Sequence, residues 1–323
     1  MRSLGRAITA GAACLAAALT IASCGRSGDS TSETRPPSEI QDVVRTTFYP
    51  TTYFAQRISG GLVPVECPLP EGEDPIFWRP DVTAISAYQR ARLTVLNGCE
   101  FEKWAISAPL ARSRTVASIE ADLIDGGAII IEGVTHSHGP AGEHSHDGID
   151  GHTWVDPVLA KKQARRIAEA MGAAFPQHGS VFTANTEALL VDLDRLEARL
   201  RELTPAVTGA KLLASHPAYN YLARRMGWTI TSFDFDPEAE LAAESMTELA
   251  AELRSLGVAG PVVLLWESEP LPETVRSLER ELGVASVLFT PVESEPAEGE
   301  DYLSVMNANV DRLAAALAPG DDG

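Results

Sequence analysis

The sequence predicts an α/β fold of two lobes, each carrying a parallel sheet, joined by one long helix. Three observations predict it. Short apolar runs alternate with helical patterns, and Gly, Pro and Asn punctuate them. The second half repeats the strand–helix order of the first. Between the halves, Leu189, Leu190, Leu193, Leu196, Leu200 and Leu203 recur at helical spacing within Phe182 to Leu203. Strands that alternate with helices pair in parallel, because each parallel connection needs a crossover long enough to hold a helix.

In chain order, Asp42 to Phe48 reads as a first strand and Pro50 to Ser59 as a helix stopped by Gly60-Gly61. Leu62 to Val65 reads as a second strand, followed by a proline- and acid-rich loop, Pro68 to Pro80. A helix over Val82 to Arg92 leads into a third strand, Leu93 to Leu96, ending at Asn97-Gly98. Ala128 to Ile131 is a short apolar run, and Pro157 to Ala174 is helical with Lys161, Lys162, Arg165 and Arg166 on its solvent side. The long helix ends near Pro205. Beyond it, strands are expected at Lys211 to Ala214, Trp228 to Phe233, Val262 to Trp266 and Ala285 to Phe289. The helices between and after them run from Pro217 to Gly227, Ala239 to Leu256, Leu271 to Leu282 and Tyr302 to Leu317. The domain boundaries follow: residues 39–177 for the first lobe, 178–204 for the linking helix and 205–318 for the second lobe, a body long enough for two cores.

Residues 1–23 read as a secretory signal, with Arg2 and Arg6 ahead of an apolar core, Ala7 to Ala22. Ile21-Ala22-Ser23-Cys24 resembles a bacterial lipobox, which implies cleavage before Cys24 and lipidation of that cysteine as a membrane anchor. Residues 24–38 are rich in Ser, Thr, Pro and Gly and read as a flexible tether. Losing Arg2 and Arg6 takes the formal charge from −19 to −21, which argues against nucleic acid as a partner. Such acidity suits an exported monomer that handles cations. Cys67 and Cys99 then remain, an even pair in an oxidising compartment. If their strands are neighbours, both lie at one sheet edge and a Cys67–Cys99 disulfide is expected; free thiols or thiolate metal ligands are the alternatives.

Five of the seven histidines, His136, His138, His144, His146 and His152, fall between Thr135 and Pro157. Gly, Ser and acidic residues separate the first four, so that part reads as a mobile loop, an auxiliary metal loop rather than a packed element. A solvated polar loop is the plain alternative. His152 stands apart, just ahead of a new helix. His216 follows the strand Lys211 to Ala214, and Glu267 follows Val262 to Trp266. In parallel sheets ligands bind beyond the carboxyl ends of strands. Alone, His216 reads equally as a core histidine and Glu267 as a surface carboxylate. Their shared position with His152 points to a metal site, since zinc takes imidazole nitrogen and carboxylate oxygen at about 2.0–2.2 Å.

The chain resembles the zinc- and manganese-binding solute-binding lipoproteins of bacterial ABC importers. Asp74-Pro75, Asn97-Gly98 with Glu102-Lys103-Trp104, the histidine window, His152-Thr153-Trp154-Val155-Asp156-Pro157, Ser215-His216-Pro217, Trp266-Glu267 and Tyr302 to Met306 carry the resemblance. It implies a metal held in the cleft between the lobes by His152, His216 and Glu267, with a membrane permease as partner. The histidine window is the mark of zinc members, so Zn2+ is expected ahead of Mn2+. One departure stands out. The family places a histidine after Asp-Pro, and here Ile76 follows. Asp74, or Glu71 as an alternative, is then the candidate for the fourth ligand. A zinc hydrolase is the competing reading, but no HExxH motif and no separately placed general base are present. A surface adhesin with a structural metal is the third.

Overall fold

The computed structural model describes residues 39–123, 127–137, 143–257 and 260–318, and the backbone alone over 132–137 and 143–147. The signal segment, the tether with Cys24, and His138 lie outside the described residues. The chain divides into Met1–Pro36 and Pro37–Gly323, and all described residues belong to the second unit.

The first lobe is built on β1 (Gln41–Thr46), β2 (Val65–Glu66), β3 (Ala91–Leu96) and β4 (Thr115–Ala117). They pair in parallel in the order β2-β1-β3-β4. Helices α1 (Tyr49–Ser59), α2 (Val82–Arg90) and α3 (Glu120–Leu123) accompany them. Pro64 and the Gly60-Gly61 turn confine β2 to two residues, shorter than the apolar run suggests. Gly60 closes α1 in the left-handed region at φ 58°, where a Cβ would come within 2.6 Å of Asn185 Nδ2.

β5 (Ile130–Ser137) and β6 (Glu143–Ile149) form an antiparallel ribbon. The expectation of an irregular loop is corrected here. His136 is the partner of His144, and His146 of Val134. The β-branched residues Ile130, Ile131, Val134 and Thr135 favour extended backbone, and antiparallel pairing satisfies the backbone groups that the two strands turn toward each other.

The second lobe carries β7 (Lys211–Ala214), β8 (Ile230–Ser232), β9 (Val262–Trp266) and β10 (Val284–Leu288). All pair in parallel, in the order β10-β9-β7-β8. Counted within each lobe, both sheets follow one order, second-first-third-fourth. The repeat read in the sequence is therefore a repeat of topology.

Helix α4 (Pro157–Ala174) packs on α1 and β3 of the first lobe, and α5 (Gly179–Thr208) touches elements of both lobes. The second lobe's helices are α6 (Asn220–Met226), α7 (Ala243–Leu256), α8 (Pro272–Leu282) and α9 (Tyr302–Leu317). Asp156 starts α4 by accepting the Val158 N–H at 2.8 Å, ahead of Pro157 in the first turn. The leucines of α5 are buried as their spacing predicts. This helix passes through Pro205 and ends at Thr208; beyond it, Gly209 and Ala210 donate to Ala206 O and Val207 O.

The largest apolar core is shared. It joins Val44 and Val95 of the first sheet to Leu212 and Val263 of the second through the α5 leucines and Tyr302 and Leu313 of α9. A second cluster, including Leu213, Leu264, Trp266, Leu249 and Leu278, covers the other face of the second sheet. Both faces of β9 are thus buried, which is why Val262 to Trp266 reads as an unbroken apolar run.

Cys67 and Cys99 are both free thiols, which corrects the disulfide expectation. Cys67 follows β2 and Cys99 follows β3, and β1 lies between those strands. Two strand spacings of about 4.8 Å each exceed the roughly 7 Å that a disulfide spans between Cα atoms. Burial raises the pKa of both thiols, that of Cys99 to about 11, and so disfavours thiolate ligation as well.

Leu196 on α5 is fully buried in the shared core. Leu196→Ala is expected to cost about 2–5 kcal/mol and to lower a single calorimetric transition for both lobes; two separated transitions would show that the lobes fold independently.

Candidate metal centre

His152 enters the cleft from the segment between the ribbon and α4, not from the end of a sheet strand. Asn97, the residue after β3, donates through Nδ2 to Gly151 O at 3.0 Å and accepts from Gln163 Nε2 at 2.8 Å. Glu102 fixes that turn by accepting from the Asn97 N–H at 2.6 Å and the Gly98 N–H at 3.3 Å. A Cβ on Gly151 would meet Phe101 at 2.4 Å, so only glycine lets the chain pass here. The Asn97-Gly98 and Glu102 motif thus holds the segment that presents His152 to the first sheet's carboxyl edge.

Asp150 sets the ring. One of its oxygens, Oδ1, accepts the His152 N–H at 2.9 Å and His152 Nδ1 at 2.8 Å. A carboxylate only accepts, so Nδ1 carries the proton and Nε2 faces the cleft. The other oxygen accepts from Asn220 Nδ2 of the second lobe at 3.0 Å. Tyr221 donates to Asp150 O at 2.9 Å, and Arg225 pairs with Asp156 at 3.1 Å. The His152 segment is therefore pinned from both lobes.

His216 lies two residues beyond β7, and its ring stands edge-on to that of His152 with centroids 5.3 Å apart. Its Nδ1 is 4.0 Å from Glu267 Oε2, at the end of β9. His152 Nε2 is 2.9 Å from Glu293 Oε1, although the two are not aligned as a hydrogen bond. Asp74, Glu267 and Glu293 line one cavity of about 600 Å³. Glu71 is exposed and lies outside that lining, and Ile76 is buried in the core. The structure thus brings His152, His216, Glu267 and Asp74 to one cleft and leaves Glu71 out. As the side chains stand, no three His, Cys, Asp or Glu donors among the described residues converge on one coordination point. Asp150 and Glu293 escaped the sequence reading. The signal for Glu293 was its place after the last strand, the rule that found Glu267.

Residues 44–316 match the family described as ZnuA, zinc-uptake complex component A, periplasmic. The chain belongs to this family. It is 27% identical over 317 residues to the high-affinity zinc uptake system protein ZnuA of Bacillus subtilis, covering 93% of this chain and 94% of that one. To the zinc-binding lipoprotein AdcA of Streptococcus pneumoniae serotype 4 it is 28% identical over 278 residues, 83% of this chain and 54% of AdcA. The chain thus spans about half the length of AdcA. Its fold superposes on that of the metal-dependent lipoprotein YcdH from Bacillus subtilis with a TM-score of 0.71 at 24% identity, over 85% of this chain and 99% of that one.

The electrostatics of this ZnuA-family cleft are those of a crowded acidic pocket. Burial disfavours charge on His152, but the Asp150 and Glu293 carboxylates beside its two nitrogens outweigh it and raise its pKa to about 10. Burial, then Glu293, and further Asp234 and Asp74, push Glu267 up to about 8, against the pull of His152. Both groups hold protons more tightly than in the unfolded chain. Each therefore contributes stability below its unfolded pKa that is lost as pH rises through the folded value, Glu267 between about 4.5 and 8 and His152 between about 6.5 and 10. The metal-free protein is expected to melt higher at pH 6 than at pH 9, with a shallower slope in His152→Ala; equal slopes by thermal melts would count against this account.

Proposed function

We propose that this protein is an exported, lipid-anchored zinc carrier that captures the ion outside the cytoplasmic membrane and delivers it to the permease of an ABC importer. The observation that carries the reading is the approach of two buried imidazoles, His152 from one lobe and His216 from the other, over the carboxylates of Glu267 and Glu293. Two nitrogens and carboxylate oxygens make a donor set suited to zinc. Asp74 offers a further oxygen from the first lobe and stands in for the histidine absent at Ile76. Asp150 serves the site from behind, holding Nδ1 so that Nε2 is the nitrogen turned to the cleft, where an incoming cation would displace its proton. His152 Nε2 and Glu293 Oε1, 2.9 Å apart but not aligned as a hydrogen bond, would both be available to a Zn2+ ion, whose charge would offset the mutual repulsion of the acidic groups. The names of the relatives, a zinc uptake protein and a zinc-binding lipoprotein, support the same cargo. The oxygen-rich share of the donor set keeps Mn2+ as the competitor to be titrated against zinc.

Cys24 is the proposed lipid attachment point, which places the body on the outer face of the cytoplasmic membrane or in the periplasm. No helix among the described residues is long and apolar enough to cross a membrane. The ribbon histidines His136, His144 and His146, with His138, form the proposed auxiliary site. Their imidazoles gather zinc at the cleft mouth and bind it more weakly than the buried site.

His152→Ala and His216→Ala are each expected to abolish tight zinc binding in competition titrations while circular dichroism shows an intact fold. Tight binding that survives either change would remove that residue from the site. Deleting residues 136–147 is expected to leave the tight site and to slow loading when zinc is scarce; loss of the tight site by calorimetry would instead make the ribbon a source of a primary ligand.

A further inference from the structure

Glu293 follows a segment held in an unusual way. Four successive backbone carbonyls ahead of it each accept a side-chain hydrogen bond, two of them from α9. Arg312 Nε donates to Leu288 O at 2.8 Å and Tyr219 OH to Phe289 O at 2.5 Å. Asn309 Nδ2 donates to Thr290 O at 2.8 Å and Trp154 Nε1 to Pro291 O at 2.7 Å. Val292 then adopts the left-handed region, at φ 63°, with its N–H on Thr290 Oγ1 at 3.2 Å. A β-branched residue is a genuine outlier there, where glycine would sit without steric cost. Val292 is 3% exposed and packed in the shared core, so its side chain anchors the backbone in a conformation that its own Cβ opposes. Such strain persists only where the surroundings over-determine it. The next residue, Glu293, is the one whose Oε1 lies 2.9 Å from His152 Nε2.

We propose that Val292 is a positioning residue: clamped by the four carbonyl contacts, its strained backbone fixes Glu293 against His152 and sets how slowly the cleft releases its cation. The clamp also registers the two partners to each other, because Trp154 stands two residues from His152 and holds Pro291, two residues from Glu293. Glycine in place of Val292 keeps the backbone conformation but removes the anchor, and Glu293 then samples a wider range of directions. The inference rests on the reading of His152 and Glu293 as cation ligands.

The test uses the full chain loaded with Zn2+ and a chelator that reports zinc release. Val292→Gly is expected to melt above Val292→Ala, the reverse of the usual order, because alanine retains the steric conflict at positive φ. It is also expected to release zinc about 10- to 100-fold faster than the parent, the range typical of lost support behind a metal ligand. Trp154→Phe, which keeps a ring and removes the Pro291 contact, is expected to speed release in the same direction and serves if the Val292 variants fold poorly. Release at the parental rate in Val292→Gly or Trp154→Phe, or a glycine variant less stable than the alanine one, would overturn the proposal. His152→Ala separates the two levels: parental zinc binding in that variant means the site reading itself is wrong, whereas its loss beside unchanged release in Val292→Gly refutes only the role of Val292.

Discussion

Asp150 is the constraint on which the cleft depends. It is buried, and it takes two hydrogen bonds from His152 and one from Asn220. A buried carboxylate is costly unless its partners are in place, so the cost of misplacing His152 or α6 is large. That cost ties the first lobe's imidazole to the second lobe's helix. Because α6 begins four residues after His216, the same carboxylate indirectly fixes the distance between the two rings.

This tie works because the two lobes share one apolar core. The α5 leucines run through a continuous apolar core that contains residues of both sheets. Trp154 and Tyr302 extend it to the cleft wall, with Tyr302 OH donating to Trp154 O at 2.5 Å and the indole N–H donating to Pro291 O. Two parallel sheets of one topology direct their carboxyl edges to the site, the first through Asn97 and Gly151, the second through His216 and Glu267. The proposed cation would meet donors whose backbones are already placed, so less ordering would oppose its binding.

Much of this was legible in the sequence. The apolar runs at Lys211 to Ala214 and Val262 to Trp266, and the leucine spacing of α5, identify their elements because burial decides them and periodicity records burial. Strand ends then located His216 and Glu267. What escaped is set by contacts distant in the chain. β4 is three residues long and leaves no pattern. The strand order that separates Cys67 from Cys99 places β1 between two strands that follow it, and adjacency in sequence does not carry that order. The ribbon's polar composition concealed its β-branched arm. Glu293 lies in the acidic run Glu293, Glu295, Glu298, Glu300, Asp301, where its place soonest after the last strand is the one signal that separates it from its neighbours. Its distinction is the left-handed turn at Val292 and the contact with His152.

The same acidity suits the proposed cation. Glu267 is driven toward its neutral form by burial and by Glu293, Asp234 and Asp74, while His152 is driven toward its charged form by Asp150 and Glu293. Without a cation, protons and the imidazolium balance the pocket. They do so with monovalent charge and with His152 Nε2 and Glu293 Oε1 close but out of line. A divalent ion supplies twice the charge at one point and accepts donors from several directions. Coulombic attraction grows as the local dielectric falls, so the burial that makes the metal-free pocket costly also strengthens its hold on the ion. Burial thus acts on both states: it penalises the metal-free charges and strengthens the attraction to the proposed ion, against the cost of desolvating that ion.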